Sequence, residues 1–274
     1  MKKILYSVAL AACCMGTMTS CSDFLDAENK SNVSDKQTFA TKDGFNTLVN
    51  DAYQRLQDVY AAPLFTSCFS AGTDMYADAR NKMNEPLNTY ETLTPENSDI
   101  KNLYTYLYSG IRAANSVSYY AQSAKVDDAT KNKLVGEARV LAAYEYYLLV
   151  NNFGGVPLMK DFLTSAETGY PKSSAADVYA YIISELEDVI SKNVLEASTA
   201  TKGGGRISQE TAKAILAKTY LSAAWDLNKQ DYFAKAASLA DEVIAGRKLT
   251  TPFVNLWKAD GSGDDNAEFL WDVE

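Results

Sequence analysis

A chain of 274 residues, 47% of them hydrophobic, is long enough to bury a sizeable core in one or two domains. Its 35 acidic against 26 basic side chains, a net charge of -9, argue against a nucleic-acid partner, which needs a basic face. There is no histidine, so Ser-His-Asp and Cys-His arrangements are excluded, along with the commonest metal ligand and the usual general base. Only a carboxylate pair could still carry catalysis, and no spacing nominates one.

The N-terminus reads as an export signal. Lys2 and Lys3 precede an apolar, small-residue run from Ile4 to Gly16, and Met18-Thr19-Ser20 leads into Cys21. The run is shorter than the about 20 residues a permanent span needs, and its flanks are those of a cleaved leader. A small residue before a cysteine resembles the bacterial lipobox, so residues 1–20 are expected to leave and Cys21 to be acylated. With two or more acyl chains the attachment is stable. Residues 21–36 are polar and read as a tether, and 37–274 as one helical domain. Once Cys13 and Cys14 are lost and Cys21 is acylated, only Cys68 remains. It can form no intrachain disulfide or zinc site and is expected to be buried as a small apolar residue.

From Gly44 onward the pattern is helical. Thr94-Pro95-Glu96 offers a cap, a proline at the first helical position and an acid in the first turn. Leu103, Leu107, Ile111, Ala114 and Val117 then mark one buried stripe. A helix over 130–151 is broken by Phe153-Gly154-Gly155-Val156-Pro157. Ser174 with Asp177 has capping-box spacing. Ser208 caps a helix running from Gln209 to about Trp225, and a last one spans Tyr232 to Ala245, ending at Gly246. Tyr179, Ile182, Leu186 and Val189 share their spacing with Phe233, Ala236, Ala240 and Val243. The preceding helices share a small-to-aromatic step, Ala143 to Tyr146 and Ala217 to Tyr220. These features predict an all-α fold: tetratricopeptide-like helical hairpins stacked into a solenoid, with little β structure. The best strand signal is Glu268 to Val273.

Gly136-Glu137-Ala138-Arg139-Val140-Leu141-Ala142-Ala143-Tyr144, continuing through Tyr146-Tyr147-Leu148 to Phe153-Gly154-Gly155-Val156-Pro157-Leu158, resembles the most diagnostic segment of the SusD/RagB family. Further likenesses follow in order: Cys21 to Asp26, Leu103 to Asn115, Ser174 to Val189, Gly205-Arg206-Ile207-Ser208, Ala212 to Leu221, and Asn266 to Val273. The resemblance implies a surface lipoprotein of the outer membrane that faces the cell exterior. Such a protein captures a nutrient, usually a glycan, and hands it to a TonB-dependent barrel of the SusC type as its lid. Members run to roughly twice this length, so the resemblance is expected to cover their N-terminal half, with the chain truncated before the C-terminal half.

Sugar recognition needs a flat aromatic face with amides, acids or arginines beside it. The best local match is the loop carrying Asp74, Tyr76, Asp78, Arg80, Asn81 and, further on, Tyr90. In the family, the corresponding loop commonly contributes to the ligand surface. The competing reading of the loop is a solvated turn with Tyr76 packed on a helix. Trp225 and Trp257 are second-rank aromatics, expected in the core. Glu137 and Arg139, two apart, point to different faces and are read as helix–helix salt bridges. Gly203-Gly204-Gly205 lacks the Lys-Ser/Thr of a phosphate loop and reads as a linker. Asp260, Ser262, Asp264, Asp265 and Glu268 offer oxygens, but in the wrong frame for a calcium loop. No metal, cofactor or catalytic residue is expected. The functional alternative is a scaffold that holds a polypeptide or peptide on the cell surface.

Overall fold

The structure, a computed structural model, describes residues 35–61, 64–76, 85–165, 167–198, 205–249, 251–258 and 268–273. The expected leader, Cys21 and most of the expected tether lie outside these residues. Two compact units divide the chain between Gln37 and Thr38. Of the first, only residues 35–37 are described, at the start of a single helical turn, Asp35–Phe39. No described helix is long and apolar enough to cross a membrane.

Six long helices build the second unit: α1 (Lys42–Tyr60), α2 (Ser98–Tyr120), α3 (Asp128–Phe153), α4 (Ala175–Lys192), α5 (Gln209–Asp226) and α6 (Asp231–Ile244). Most start where side-chain chemistry satisfies the free N–H groups of the first turn. Thr41, Asp127 and Ser208 each accept a bond from the third backbone N–H of the following helix. The Ser174–Asp177 capping box forms in both directions. The start of α2 differs from the expectation at Thr94. The cap is Asn97, whose Oδ1 accepts from Asp99 N and Ile100 N at 3.0 and 3.1 Å. Thr94 closes the preceding turn, its carbonyl accepting from Asn97 N. Two capping residues compete there, and Asn outranks Thr as a cap.

Each helix packs on the next in sequence, and α3 also touches α1 and α5. The helices therefore pair as α1–α2, α3–α4 and α5–α6, with the first member of each pair forming a row. This is the tetratricopeptide-like stack. Because α3 has neighbours on several sides, its buried residues run around the helix, from Leu134 and Val140 to Tyr146 and Leu149. The expected α2 stripe, Leu103 to Val117, is buried throughout, as are Tyr179, Ile182, Leu186 and Val189 on α4. Of the matching set on α6, only Ala236 and Val243 are buried. Helix α6 is the second member of the last pair, and among the described helices its packing partner is α5. Close approach has its own requirement at Gly136, where an added Cβ would lie 2.9 Å from Val194 Cγ2.

The diagnostic segment is a structural strap. Gly154 ends α3 with φ +68°, which a glycine adopts without strain. The chain then turns back across the hairpin end. Tyr108 Oη donates to the Pro157 carbonyl at 2.7 Å, and Asn115 Nδ2 donates to Met159 O at 2.9 Å. Tyr146 Oη accepts from Met159 N at 2.6 Å. A Cβ on Gly155 would overlap the Ser173 carbonyl oxygen. Gly155→Ala is accordingly expected to lower stability by about 1–3 kcal/mol, read as a drop in the thermal midpoint. An unchanged midpoint would show that the strap yields freely.

Residues 268–273 form no strand. A strand needs a ladder partner, and the described residues contain none. The Leu270 carbonyl instead accepts from Thr211 Oγ1 at 2.8 Å, and Trp271 meets Tyr144 edge to face at 5.3 Å. Alternation of Phe269, Trp271 and Val273 serves to lay Trp271 and Val273 on the core. Trp225 and Trp257 are not core residues: they are 74% and 73% exposed, paired with Phe233 and Phe253. Cys68 is half-buried rather than buried.

Candidate functional site

A cleft of about 360 Å³ opens where the α2–α3 hairpin meets the segment that follows α1. Its floor is apolar: Ala71, Leu87, Leu93, Ile100, Leu103 and Phe153. Ser67, Cys68, Asn151, Asn152 and Tyr90 supply the polar and aromatic wall. A π-helical turn, Thr66–Ser70, and a helical turn, Glu85–Thr89, bring the outer wall to this position. Asn151 and Asn152 close the last turn of α3, where each Nδ2 donates to the carbonyl four residues earlier, at 2.7 and 2.8 Å. Those bonds fix the two amides at the rim.

Tyr90 is the most exposed large side chain of the cleft, at 58%. Its φ of +63° is unusual for a residue with a bulky side chain. The ring is held over Gly72, whose carbonyl faces Tyr90 Oη at 3.5 Å. Gly72 itself has φ +76°, and a Cβ there would overlap Tyr90 Oη. An aromatic face is thus presented outward by a strained backbone against a glycine that leaves it room. The thiol of Cys68 is pushed up to about 11 by burial and, secondarily, by Asp99, so it is neutral at pH 7 and a poor nucleophile.

Of the six candidates from the loop, Tyr90 lines the cleft. Asp74 is exposed and Tyr76 half-buried, both just before residue 77 and neither among the lining residues. Asp78, Arg80 and Asn81 lie outside the described residues. Asn151 and Asn152 were missed by sequence reasoning. Their only signal is a pair of amides at the end of a helix, immediately before the Phe-Gly-Gly break. Gly203, Gly204 and the acidic positions 260–265 also fall outside the described residues. Among the described residues no group of acids or thiols is arranged to hold a metal ion.

Glu137 and Arg139 separate as expected. Arg139 bridges α3 to α4, with Nε on Glu185 at 2.7 Å and Nη1 on Asp188 at 2.6 Å. Glu137 turns the other way and is 3% exposed. Its Oε2 accepts from Tyr53 Oη on α1 at 2.7 Å and from Arg206 Nη1 at 3.2 Å. The Arg206 guanidinium also lies over the Tyr53 ring at 4.9 Å, and Ile207 N donates to Tyr53 Oη at 3.0 Å. This node fastens α1, α3 and the entry to α5. Burial raises the Glu137 carboxyl, and the positive charge of Arg206 opposes that rise. Tyr53 is raised as well, first by burial and then by the Glu137 charge.

The architecture defines the class: a tetratricopeptide-like helical-hairpin protein with a preformed, partly aromatic cleft at one hairpin end. The chain belongs to the SusD-like family. Residues 23–221 match the family model described as "Starch-binding associating with outer membrane". The sequence is 26% identical over 208 residues to a SusD-like protein of Bacteroides ovatus, covering 74% of this chain and 37% of that relative. It is 27% identical over 165 residues to the starch-binding protein SusD of Bacteroides thetaiotaomicron, covering 60% and 29%. The solved structure of surface glycan-binding protein A from Bacteroides uniformis superposes with a TM-score of 0.70 at 26% identity, covering 84% of this chain and 51% of that one. The chain spans well under half the length of these two curated relatives and about half of that structure.

Proposed function

We propose that this protein captures a glycan at the outer surface of the cell and delivers it to a SusC-type TonB-dependent outer-membrane transporter, without transforming it. In this reading residues 1–20 are removed, acylated Cys21 anchors the chain in the outer membrane, and residues 21–36 lead to the helical domain. The observation that carries the proposal is the cleft: an exposed Tyr90 ring beside the fixed amides of Asn151 and Asn152. Sugar C–H faces stack on such a ring while hydroxyls bond to amides and backbone. The names of the similar proteins, starch-binding and glycan-binding, support the same ligand class. Asp74 and Tyr76 would extend this surface, together with Asp78, Arg80 and Asn81. No cofactor takes part.

Calorimetric titration against a panel of oligosaccharides tests the proposal. Tyr90→Ala is expected to weaken the best ligand by roughly tenfold or more, with Tyr90→Phe close to the parent and the thermal midpoint unchanged. Binding of no glycan in the panel, or equal binding by Tyr90→Ala, would remove the cleft as the ligand site.

A further inference from the structure

The cleft that carries Tyr90 is built without charge. Among the described residues its lining consists of apolar side chains, two amides, a hydroxyl, a thiol and a phenol, with no Lys, Arg, Asp or Glu. A charge carried into such a place leaves water without meeting an opposite charge, which is the costly case of polar burial.

The segments that bear the outer wall add a sign. Residues 64–100 carry six acids, Asp74, Asp78, Glu85, Glu91, Glu96 and Asp99, against two bases, Arg80 and Lys82. Glu91 directly follows Tyr90 and is exposed, and Asp99 directly precedes Ile100. The reach of Asp99 into the cleft is visible at Cys68, whose thiol is raised to about 11 by burial first and by the Asp99 charge second. Cys68 thus samples the cleft as a ligand would meet it. A negative charge there is opposed twice, by desolvation and by a like charge.

The hydrogen-bonding groups agree. Asn151 and Asn152 each spend one N–H on the carbonyl four residues back, which leaves each amide one donor and its acceptor oxygen. A sugar hydroxyl, itself donor and acceptor, pairs with both. A carboxylate only accepts, so it leaves the amide oxygens unpaired. An ammonium only donates, and it finds no carboxylate in the lining.

We propose that the cleft selects uncharged oligosaccharides and rejects chains that bear uronates or sulfates. This rests on the glycan reading of the cleft and narrows it to chains whose rings present only C–H faces and hydroxyls. The apolar floor and Tyr90 take the C–H faces, and the two asparagines take hydroxyls. The acidic surroundings turn anionic chains away.

Calorimetric titration of the purified chain against two sets of oligosaccharides of equal length tests this. The uncharged set is amylose, mannan, xylan and laminarin fragments; the anionic set is mannuronan, galacturonan and chondroitin sulfate fragments. Mannan and mannuronan share linkage and ring stereochemistry, and differ in a hydroxymethyl against a carboxylate. The tightest binder is expected in the uncharged set, with every anionic fragment at least roughly tenfold weaker. Added salt should strengthen what anionic binding remains and leave the uncharged ligand unchanged. Glu91→Lys, outside the lining, should raise anionic affinity about threefold, with the uncharged ligand's affinity and the thermal midpoint unchanged. An anionic fragment that binds as tightly as the best uncharged one, and loses that binding in Tyr90→Ala, would overturn the proposal and keep the cleft as a glycan site. A preference indifferent to both salt and Glu91→Lys would also overturn it, since shape alone would then sort the sugars. Binding indifferent to Tyr90→Ala, or no binding in either set, would remove the glycan reading of the cleft and the proposal with it.

Discussion

Arg206→Met is expected to lower the stability of the fold by about 2–4 kcal/mol at pH 8, and to cost much less in mild acid. Glu137 is almost fully buried between α1 and α3, and Arg206 is its only cationic hydrogen-bond partner among the described residues. Removing one member of such a pair strands the other charge in an apolar site, a loss of about 3–5 kcal/mol for fully buried pairs. The Arg206 side chain is 40% exposed, so solvent screens part of the interaction and the lower range applies. The pH dependence follows from the direction of the shift. Burial already raises Glu137 in the folded state, with Arg206 opposing, and loss of the arginine raises it further. An acid raised on folding binds more protons when folded, so its stabilising contribution is full below the ordinary value of 4.5 and is lost as pH rises through the folded value. The variant should therefore approach the parent near pH 4.5 and diverge from it toward pH 8. Urea unfolding at a series of pH values measures this. In a Glu137→Gln background the cost of Arg206→Met should shrink, because the two groups share one node. An equal cost at both ends of the pH range, or an equal cost in both backgrounds, would show that Arg206 acts only by packing on Tyr53.

How much of this was legible in the sequence depends on how local each signal is. The stripe from Leu103 to Val117 and the capping box at Ser174 were readable because three- and four-residue steps and a single turn suffice to define them. The opposed directions of Glu137 and Arg139 followed from helical geometry alone. The start of α2 was misread because two capping residues lie within one turn of each other, and their competition depends on the turn before the helix. Glu268 to Val273 alternates like a strand, yet alternation only states that every second residue is buried. Trp271 and Val273, each partly buried, pack against the helices without any ladder. The exposure of Trp225 was invisible because it depends on α6 being last in the described stack. The cleft was half-legible. Tyr90 stood out as an aromatic in a polar loop, but Ser67, Cys68, Asn151 and Asn152 reach the same cleft from segments far apart in sequence. No single-chain pattern announces that meeting.

Glu145 is the clearest case of a residue whose environment reverses its appearance, and Glu145→Met is expected to stabilise the protein by about 1–3 kcal/mol at pH 8. In sequence it reads as an ordinary acid on a helix. In the fold it lies between α3 and α2, 1% exposed, with neither carboxyl oxygen hydrogen-bonded. Its space exists because Gly110 stands opposite on α2, where an added Cβ would overlap the carboxylate. Burial raises its carboxyl well above the ordinary value of 4.5. The site thus bears either the cost of a neutral but unbonded carboxyl or that of a buried charge. A methionine of similar length fills the same volume without polar atoms, and replacing buried polar groups by apolar ones of like size is commonly neutral or stabilising. The sign with pH matches that of Glu137. The parent should lose stability from pH 5 toward pH 8, by up to about 1.4 kcal/mol per pH unit for one group. Glu145→Met should flatten that slope, so the gain grows with pH. Gly110→Ala provides the steric control. It should destabilise the parent by about 1–3 kcal/mol through overlap with the carboxyl, and less in Glu145→Ala, where the new methyl fills part of the vacated space. Denaturant melts of the parent, the three single variants and the Gly110→Ala/Glu145→Ala double variant at pH 5 and pH 8 decide the matter. If Glu145→Met is no more stable at pH 8 and keeps the parent's slope, the carboxyl has a polar partner in solution, and the tight fit at Gly110 serves that partner instead.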